Sequence, residues 1–337
     1  MKRTSMKSAL IIGITGQDGS YLTRFLIKKK YVVHGLIKKN SNFMPNPIIP
    51  KKLINKEIFI HKRDILDFID INELILNIKP CEIYYLATTH ELSINQNNFN
   101  EVMSINVAGF INILETVKNY IPLSRLFYAS SSNVFAGSKK SPQNENTEKI
   151  PATLYGVAKL TTMNLIDLYA KQFNIFVCYG ILYNHESQLR KKIFLPMKIV
   201  DAAVNIKLGL QNTLVLGSLD DQRDWGWAED YVRAMWMMLQ TKKPKNYIIG
   251  SGKTITVKDI LCYAFEYLNL VWQNYVEIDQ SFIRLNYNIK LIADPSKIQR
   301  ELGWKGSKNF KKVIEQMIDE DMQYKKENTK KFKRNNL

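Results

Sequence analysis

The sequence predicts an α/β fold, with a doubly wound parallel sheet followed by a smaller mixed α/β domain. Three observations carry that expectation. Short apolar runs alternate with helical patterns through the first half of the 337 residues, as in a parallel sheet covered on both faces. A glycine-rich turn, Gly13-Ile14-Thr15-Gly16-Gln17-Asp18-Gly19, lies between the first apolar run and the first helical pattern. After Asn184 the rhythm changes, and basic and apolar segments mix with helices rich in large side chains.

The elements follow in order. Residues 8–12 form a compact apolar run and predict the first strand. Residues 21–29 have helical spacing, and residues 31–37 return to a β-branched strand pattern. Residues 58–61 and 82–86 are further short strands. Residues 102–120 predict one helix, 125–130 a strand, 153–173 a long helix and 175–182 another strand. Beyond them, 225–240 and 257–267 predict helices. Asp294-Pro295-Ser296-Lys297 starts a short helix, and 310–324 is the last. A Rossmann-type domain over residues 1–183 is expected, its sheet completed by a segment near 243–250, as the resemblance to a known family given below implies. A substrate domain would span 184–324 and a basic, disordered tail 325–337.

Composition narrows the partners. Hydrophobic residues make up 45% of the chain, as in soluble globular proteins, and no apolar run is long enough to span a bilayer. The basic start is followed by a stretch broken at Gly13 and Gly16, a first strand rather than a signal peptide. Cys81, Cys178 and Cys262 are scattered and cannot all pair, which fits a reducing cytoplasm. The formal charge of +17 is spread over many lysines. No RNA-binding signature or zinc-ligand spacing accompanies it, so neither nucleic acid nor metal is expected.

Tyr155 and Lys159 carry the chemistry. Four residues of separation put them on one face of a helix. A phenol has a pKa of about 10 and is a poor base, but a neighbouring ammonium favours the phenolate. Ser131 precedes that helix and could hold a substrate alcohol against the phenolate. Such a trio suits removal of an alcohol proton while the carbon gives hydride to a nicotinamide. The glycine turn fits a dinucleotide, because glycine admits the pyrophosphate and the helix N-terminus favours its charge. Lys38 and Lys39 follow the second strand with no acidic residue nearby, which favours NADP over NAD.

The order of these features resembles the extended short-chain dehydrogenase/reductase superfamily. Within it the chain resembles the GDP-mannose 4,6-dehydratases, through the turn from Gly13 to Leu22, Val33-His34-Gly35, and Asn184-His185-Glu186-Ser187. Arg223-Asp224-Trp225-Gly226, Asp230-Tyr231-Val232, Ala234-Met235-Trp236 and Leu302-Gly303-Trp304 extend the likeness. The resemblance implies a nucleotide-sugar substrate with GDP as its nucleotide, and a homodimer or homotetramer. It also implies that Gly13, Thr15, Gly16, Gln17, Asp18, Gly19, Asp64, Ile65, Leu86, Ala87, Thr88, Lys159, His185 and Arg190 hold the cofactor. Asn184, Lys198, Arg223 and Arg284 would hold the substrate, the arginines on its diphosphate.

The chain departs from the family in three places. Ser131-Ser132-Asn133 replaces Thr-Ser-Glu, so Asn133 stands where a glutamate would work at the sugar's C5 and C6. Thr88-Thr89-His90-Glu91 replaces a Gln-Ser-His-like run. Gln188-Leu189 precedes Arg190 where the family has Pro-Arg. An amide cannot exchange a proton near neutral pH, and loss of a general acid/base costs about two to four orders of magnitude. The dehydratase reaction, a 4-epimerase, 4-reductase or 4-dehydrogenase, and an NADP-binding protein without catalysis all stay open.

Overall fold

The computed structural model describes residues 6–89, 96–282 and 290–335. β1 (Ser8–Ile12) runs through the glycine turn into α1 (Gln17–Lys28), which returns to β2 (Val32–Ile37). β3 (Ile58–Lys62), α2 (Phe68–Ile78) and β4 (Glu82–Tyr85) follow. α3 (Gln96–Met103) continues into α4 (Gly109–Tyr120) through a π-helical turn at Ser104–Ala108. Then come β5 (Arg125–Ser131), α5 (Leu154–Phe173), β6 (Val177–Leu182) and β7 (Asn184–Glu186). The remainder holds α6 (Leu195–Lys207), β8 (Leu214–Leu216), β9 (Gln222–Trp227), α7 (Ala228–Leu239), β10 (Tyr247–Ile249) and β11 (Thr254–Thr256). It ends with α8 (Val257–Tyr267), β12 (Val276–Ile278), α9 (Ser296–Leu302) and α10 (Phe310–Asn335).

Seven parallel strands form the central sheet in the order β10-β6-β5-β4-β1-β2-β3. The strand order reverses between β1 and β4, so a crevice opens at their carboxyl ends, where such sheets bind ligands. One face packs on α1 and α7 through Leu22, Leu26, Met235 and Met238. The other packs on α2, α4 and α5 through Ile71, Phe110, Ile113 and Ile166. A third apolar cluster joins α6, α8 and α10 through Val200, Ile260 and Ile314. It belongs to the smaller domain, where β9 pairs with β7 and β11 while β8 pairs with β12.

Three sequence expectations need correction. The helix expected over 102–120 is interrupted, because the buried Asn106 carbonyl accepts from Tyr128 Oη (3.1 Å) and Thr162 Oγ1 (2.9 Å). A carbonyl held by side chains loosens the helical ladder and permits a π turn. The helix expected from residue 225 begins instead at Ala228, because residues 222–227 pair as β9. The tail expected to be disordered continues α10 as far as Asn335. Lys325 anchors its start, with Nζ 2.8 Å from Asp201 and 2.6 Å from Asp321. The segment expected near 243–250 does complete the sheet, as β10 beside β6.

Two fully buried polar side chains fasten the smaller domain to the sheet. Asp224 accepts from the backbone N–H groups of Ser251 (2.8 Å), Gly252 (2.8 Å) and Ala293 (3.1 Å). Gln143 donates to Lys290 O (2.9 Å) and accepts from Ile292 N (3.0 Å) and Tyr183 Oη (2.8 Å). Removing the Asp224 carboxylate leaves three backbone donors without their acceptor. Asp224→Ala is therefore expected to lower unfolding free energy by on the order of 3 kcal/mol, read from urea denaturation. A loss of a few tenths would refute the role.

Candidate active site

The crevice is lined first by the glycine turn. Gly13 has φ +98°, and a Cβ there would lie 2.9 Å from Ala87 N. A Cβ on Gly19 would lie 2.3 Å from Gly13 O. Only glycine permits this approach of turn, helix and strand end. Gly16, Thr15, Leu86 and Ala87 complete the two banks. Ile65 is buried beneath Gly109, and Asp64 Oδ1 accepts from Leu66 N at 3.0 Å. Lys38 and Lys39 are exposed at the end of β2. Lys38 Nζ stands 3.6 Å from Glu101, a contact of little energetic weight between exposed groups.

A polar clasp joins this turn to β7. His185 Nδ1 lies 2.7 Å from Tyr183 O, and its Nε2 lies 2.9 Å from Asp18 Oδ2. Both ring nitrogens therefore face acceptors, as an imidazolium requires. Burial opposes the charged ring, but the charge and hydrogen bond of Asp18 outweigh it and raise the His185 pKa. Burial likewise opposes the Asp18 carboxylate, yet His185 holds its pKa below the ordinary value. Gln17 Nε2 donates to His185 O (3.1 Å), and Ser187 Oγ donates to Gln17 Oε1 (2.8 Å). The His185 ring stacks on Tyr231 at 4.3 Å.

Ser131 ends β5 and Tyr155 sits in the first turn of α5. Thr153 caps that helix by accepting from Gly156 N at 3.0 Å. A Cβ on Gly156 would lie 2.7 Å from Asn133 O, so this glycine lets α5 close on the turn after β5. Ser131 and Thr88 both act on the Tyr155 phenol, each lowering its pKa against burial. Asn133 Nδ2 donates to Ser131 Oγ at 3.2 Å. Lys159 is buried, donates to Ala129 O at 2.8 Å, and lies 5.4 Å from the centroid of the Tyr155 ring.

The electrostatics differ from the sequence expectation. Burial pushes the Tyr155 phenol up, against the hydrogen bonding of Thr88 and Ser131 and the charge of Arg190. A hydroxyl favours the phenolate only when its own proton is free to point at it. Burial also pulls the Lys159 ammonium down to about 7. Lys159 thus does not leave Tyr155 with a net lowered pKa.

The remaining expected residues are placed around this centre. Arg190 Nε lies 3.2 Å from Glu186 Oε2, and its guanidinium stacks 3.6 Å over the Phe194 ring. Asn184 is half-buried on β7 and accepts from Tyr231 Oη at 3.3 Å. Arg223 lies on β9, beside β7, and donates to Gln222 O at 2.7 Å. Lys198 is exposed on α6 and donates to Val215 O at 2.8 Å. Arg284, His90 and Glu91 lie outside the described residues. Sequence reasoning missed Asn106, Gln143 and the role of Asp224. An asparagine in a helical run marked the first, and the Arg-Asp-Trp-Gly motif contained the last.

A sequence model described as GDP-mannose 4,6 dehydratase matches residues 10–317. The chain belongs to the GDP-mannose 4,6-dehydratase family. It is 40% identical over 329 residues to GDP-mannose 4,6 dehydratase 2 of Arabidopsis thaliana, covering 95% of this chain and 88% of that one. It is 34% identical over 356 residues to the GDP-mannose 4,6-dehydratase of Yersinia enterocolitica, covering 96% and 95%. The fold is shared with the dTDP-glucose 4,6-dehydratase of Bacillus anthracis, solved with NAD, at TM-score 0.79 and 18% identity over 93% and 96% of the chains. It is shared equally with RMD from Pseudomonas aeruginosa, solved with NADPH, at TM-score 0.79 and 18% identity over 95% and 98%.

Among the described residues, no helix is long and apolar enough to cross a membrane. Two of the three departures from the family have visible local roles. Gln188 Oε1 accepts from Tyr21 Oη at 2.8 Å and so extends the clasp to α1. Leu189 packs on the apolar cluster beneath it. Asn133, in the other, bonds Ser131.

The clasp carries its own pH signature. Asp18 has a lowered pKa and His185 a raised one. Their stabilisation is full between about pH 4 and about pH 6.5. It is lost as pH falls through the Asp18 pKa and as pH rises through that of His185. The stability difference between the parent and Asp18→Asn, from urea unfolding, should therefore be larger at about pH 6 than at about pH 9. An equal difference at both would contradict the ion pair.

Proposed function

We propose that this protein oxidises a GDP-sugar at C4 with enzyme-bound NADP, and that Asn133 withholds efficient loss of water from C5 and C6. The observation that carries the reading is the meeting of Ser131, Tyr155 and Lys159 with an amide beside Ser131. The residues present fit a dinucleotide: turn and strand end approach so closely that only glycine is tolerated, and α1 offers its N-terminus. Gly13 to Gly19, Asp64, Ile65, Leu86 to Thr88, His185 and Arg190 would hold it, with Lys38 and Lys39 at a 2′-phosphate. The nicotinamide, when bound, accepts and returns hydride at the sugar carbon. Tyr155 Oη would exchange the proton of the 4-hydroxyl, Ser131 would hold that oxygen, and Arg223 would face the diphosphate.

Residues 1–183 with the strand near 243–250 would serve the cofactor, and 184–324 the sugar nucleotide. Asn133 equally favours a 4-epimerase or 4-reductase, which need no acid/base at C5. Retention of the serine, tyrosine and lysine argues against a binding protein without catalysis. The reading includes a cytoplasmic homodimer or homotetramer. Val157 and Leu168 are exposed eleven positions apart on one side of α5 and suit a second copy.

Two measurements test the reading. Stripped protein titrated with each cofactor should bind NADP more tightly than NAD. Equal or tighter NAD binding would make Lys38 and Lys39 a plain surface turn. Incubation with GDP-mannose and related GDP-sugars, followed by mass spectrometry, should show products of unchanged mass or altered by hydrogen only. Release of a 4-keto-6-deoxy sugar, lighter by one water, at ordinary enzymatic rates would restore the plain dehydratase reaction.

A further inference from the structure

We propose that Asn46 is a positioning residue for the cofactor, tying the glycine turn to the first turn of α1 from outside so that both meet the pyrophosphate in one fixed arrangement. The inference rests on the proposed function in taking that turn as the seat of the NADP pyrophosphate.

Between β2 and β3 the chain makes an irregular segment over residues 38–50. Its first end closes on itself, because Ser41 donates to Lys38 O from both its backbone N (3.0 Å) and Oγ (2.7 Å). Its far end is sunk in the fold. Ile49 is buried, and Phe43 and Ile48 pack on the same apolar cluster as Tyr21 and Leu22 of α1. Asn46 stands between these ends, in the run Met44-Pro45-Asn46-Pro47-Ile48. Pro45 fixes its own φ, and Pro47 restricts the backbone of Asn46 to extended conformations. The Asn46 carbonyl accepts from Ile49 N at 2.9 Å, with Pro47 inside the turn so closed. A stiff frame therefore presents the side chain, and little backbone freedom is lost when it bonds.

That side chain reaches two points of the cofactor seat. Asn46 Nδ2 donates to Thr15 O at 3.0 Å and to Ser20 Oγ at 2.6 Å. A carbonyl only accepts, so the amide nitrogen must face Thr15. Ser20 is fully buried and carries the restraint inward, because its Oγ donates to Gly16 O at 2.8 Å. The same carbonyl takes the Ser20 backbone N–H at 3.0 Å. One amide thus binds the residue before Gly16 and the residue four places after it. Gly16, between the tied points, is the N-cap of α1 and has no side chain to resist bending. The ties from Asn46 therefore set the angle at which α1 leaves the turn. The first N–H groups of α1, from Gln17 onward, have no acceptor within the helix and suit a pyrophosphate. Their direction follows that angle.

Two ligands separate this role from general loosening. Parent and variants, stripped of nucleotide, would be titrated with NADPH, read by fluorescence, and with 2′-AMP, read by calorimetry. 2′-AMP carries the adenosine and 2′-phosphate of NADP without the pyrophosphate. Asn46→Leu keeps the approximate shape of the side chain and removes its donor. It should bind NADPH about three- to tenfold more weakly than the parent, with affinity for 2′-AMP kept within about twofold. The second expectation follows because the turn at Lys38 closes without Asn46. Unchanged NADPH binding, or equal losses for the two ligands, overturns the proposal. Asn46→Ala supplies the same comparison should the leucine variant fail to fold. A parent that binds neither NADP nor NAD sinks the proposed function, whereas a binding parent with an equally binding Asn46→Leu sinks this inference alone.

Discussion

The close approach of the glycine turn to the end of β4 is the constraint on which the site depends. No side chain fits at Gly13 or Gly19, because the backbone of Ala87, Ile14 and Gly13 itself occupies that space. The contact sets the tilt of α1 and the width of the crevice at the reversal of strand order. It also brings Asp18, at the start of α1, within 2.9 Å of His185 on β7. A backbone contact inside one domain thus decides where the other domain is clasped.

The segments around Arg223 are held by buried polar groups as well as by apolar packing. Asp224 satisfies donors from two separate segments, and Gln143 satisfies groups from the end of β6 and from residues 290–292. Such groups cost desolvation and return it only when every partner is placed. They specify a single arrangement of the segments around Arg223. Apolar packing alone would tolerate small slips there.

The reacting centre combines a retained scaffold with an altered polarity. Ser131, Tyr155 and Lys159 converge because Gly156 lets α5 press on the turn after β5. Burial then acts against both ionised forms, raising the tyrosine and lowering the lysine. The proton is governed by neighbouring hydroxyls and amides as much as by the lysine charge. Asn133 adds an amide donor to the Ser131 hydroxyl.

By itself, the sequence determined the alternating α/β rhythm, the glycine turn, the Ser131-Tyr155-Lys159 order and the family. Those features are local: periodicity, backbone freedom and i,i+4 spacing are written in short stretches of chain. It also placed the strand near 243–250, through the likeness of the whole chain. Tertiary structure alone decided the interruption at Asn106, because that π turn answers to Tyr128 and Thr162 from distant elements. It decided the extent of α10, through the pairing of Lys325 with Asp201 more than a hundred residues away. It decided the direction of the shift at Tyr155 as well. Composition places a lysine beside the phenol, but only the fold determines how far burial outweighs that charge.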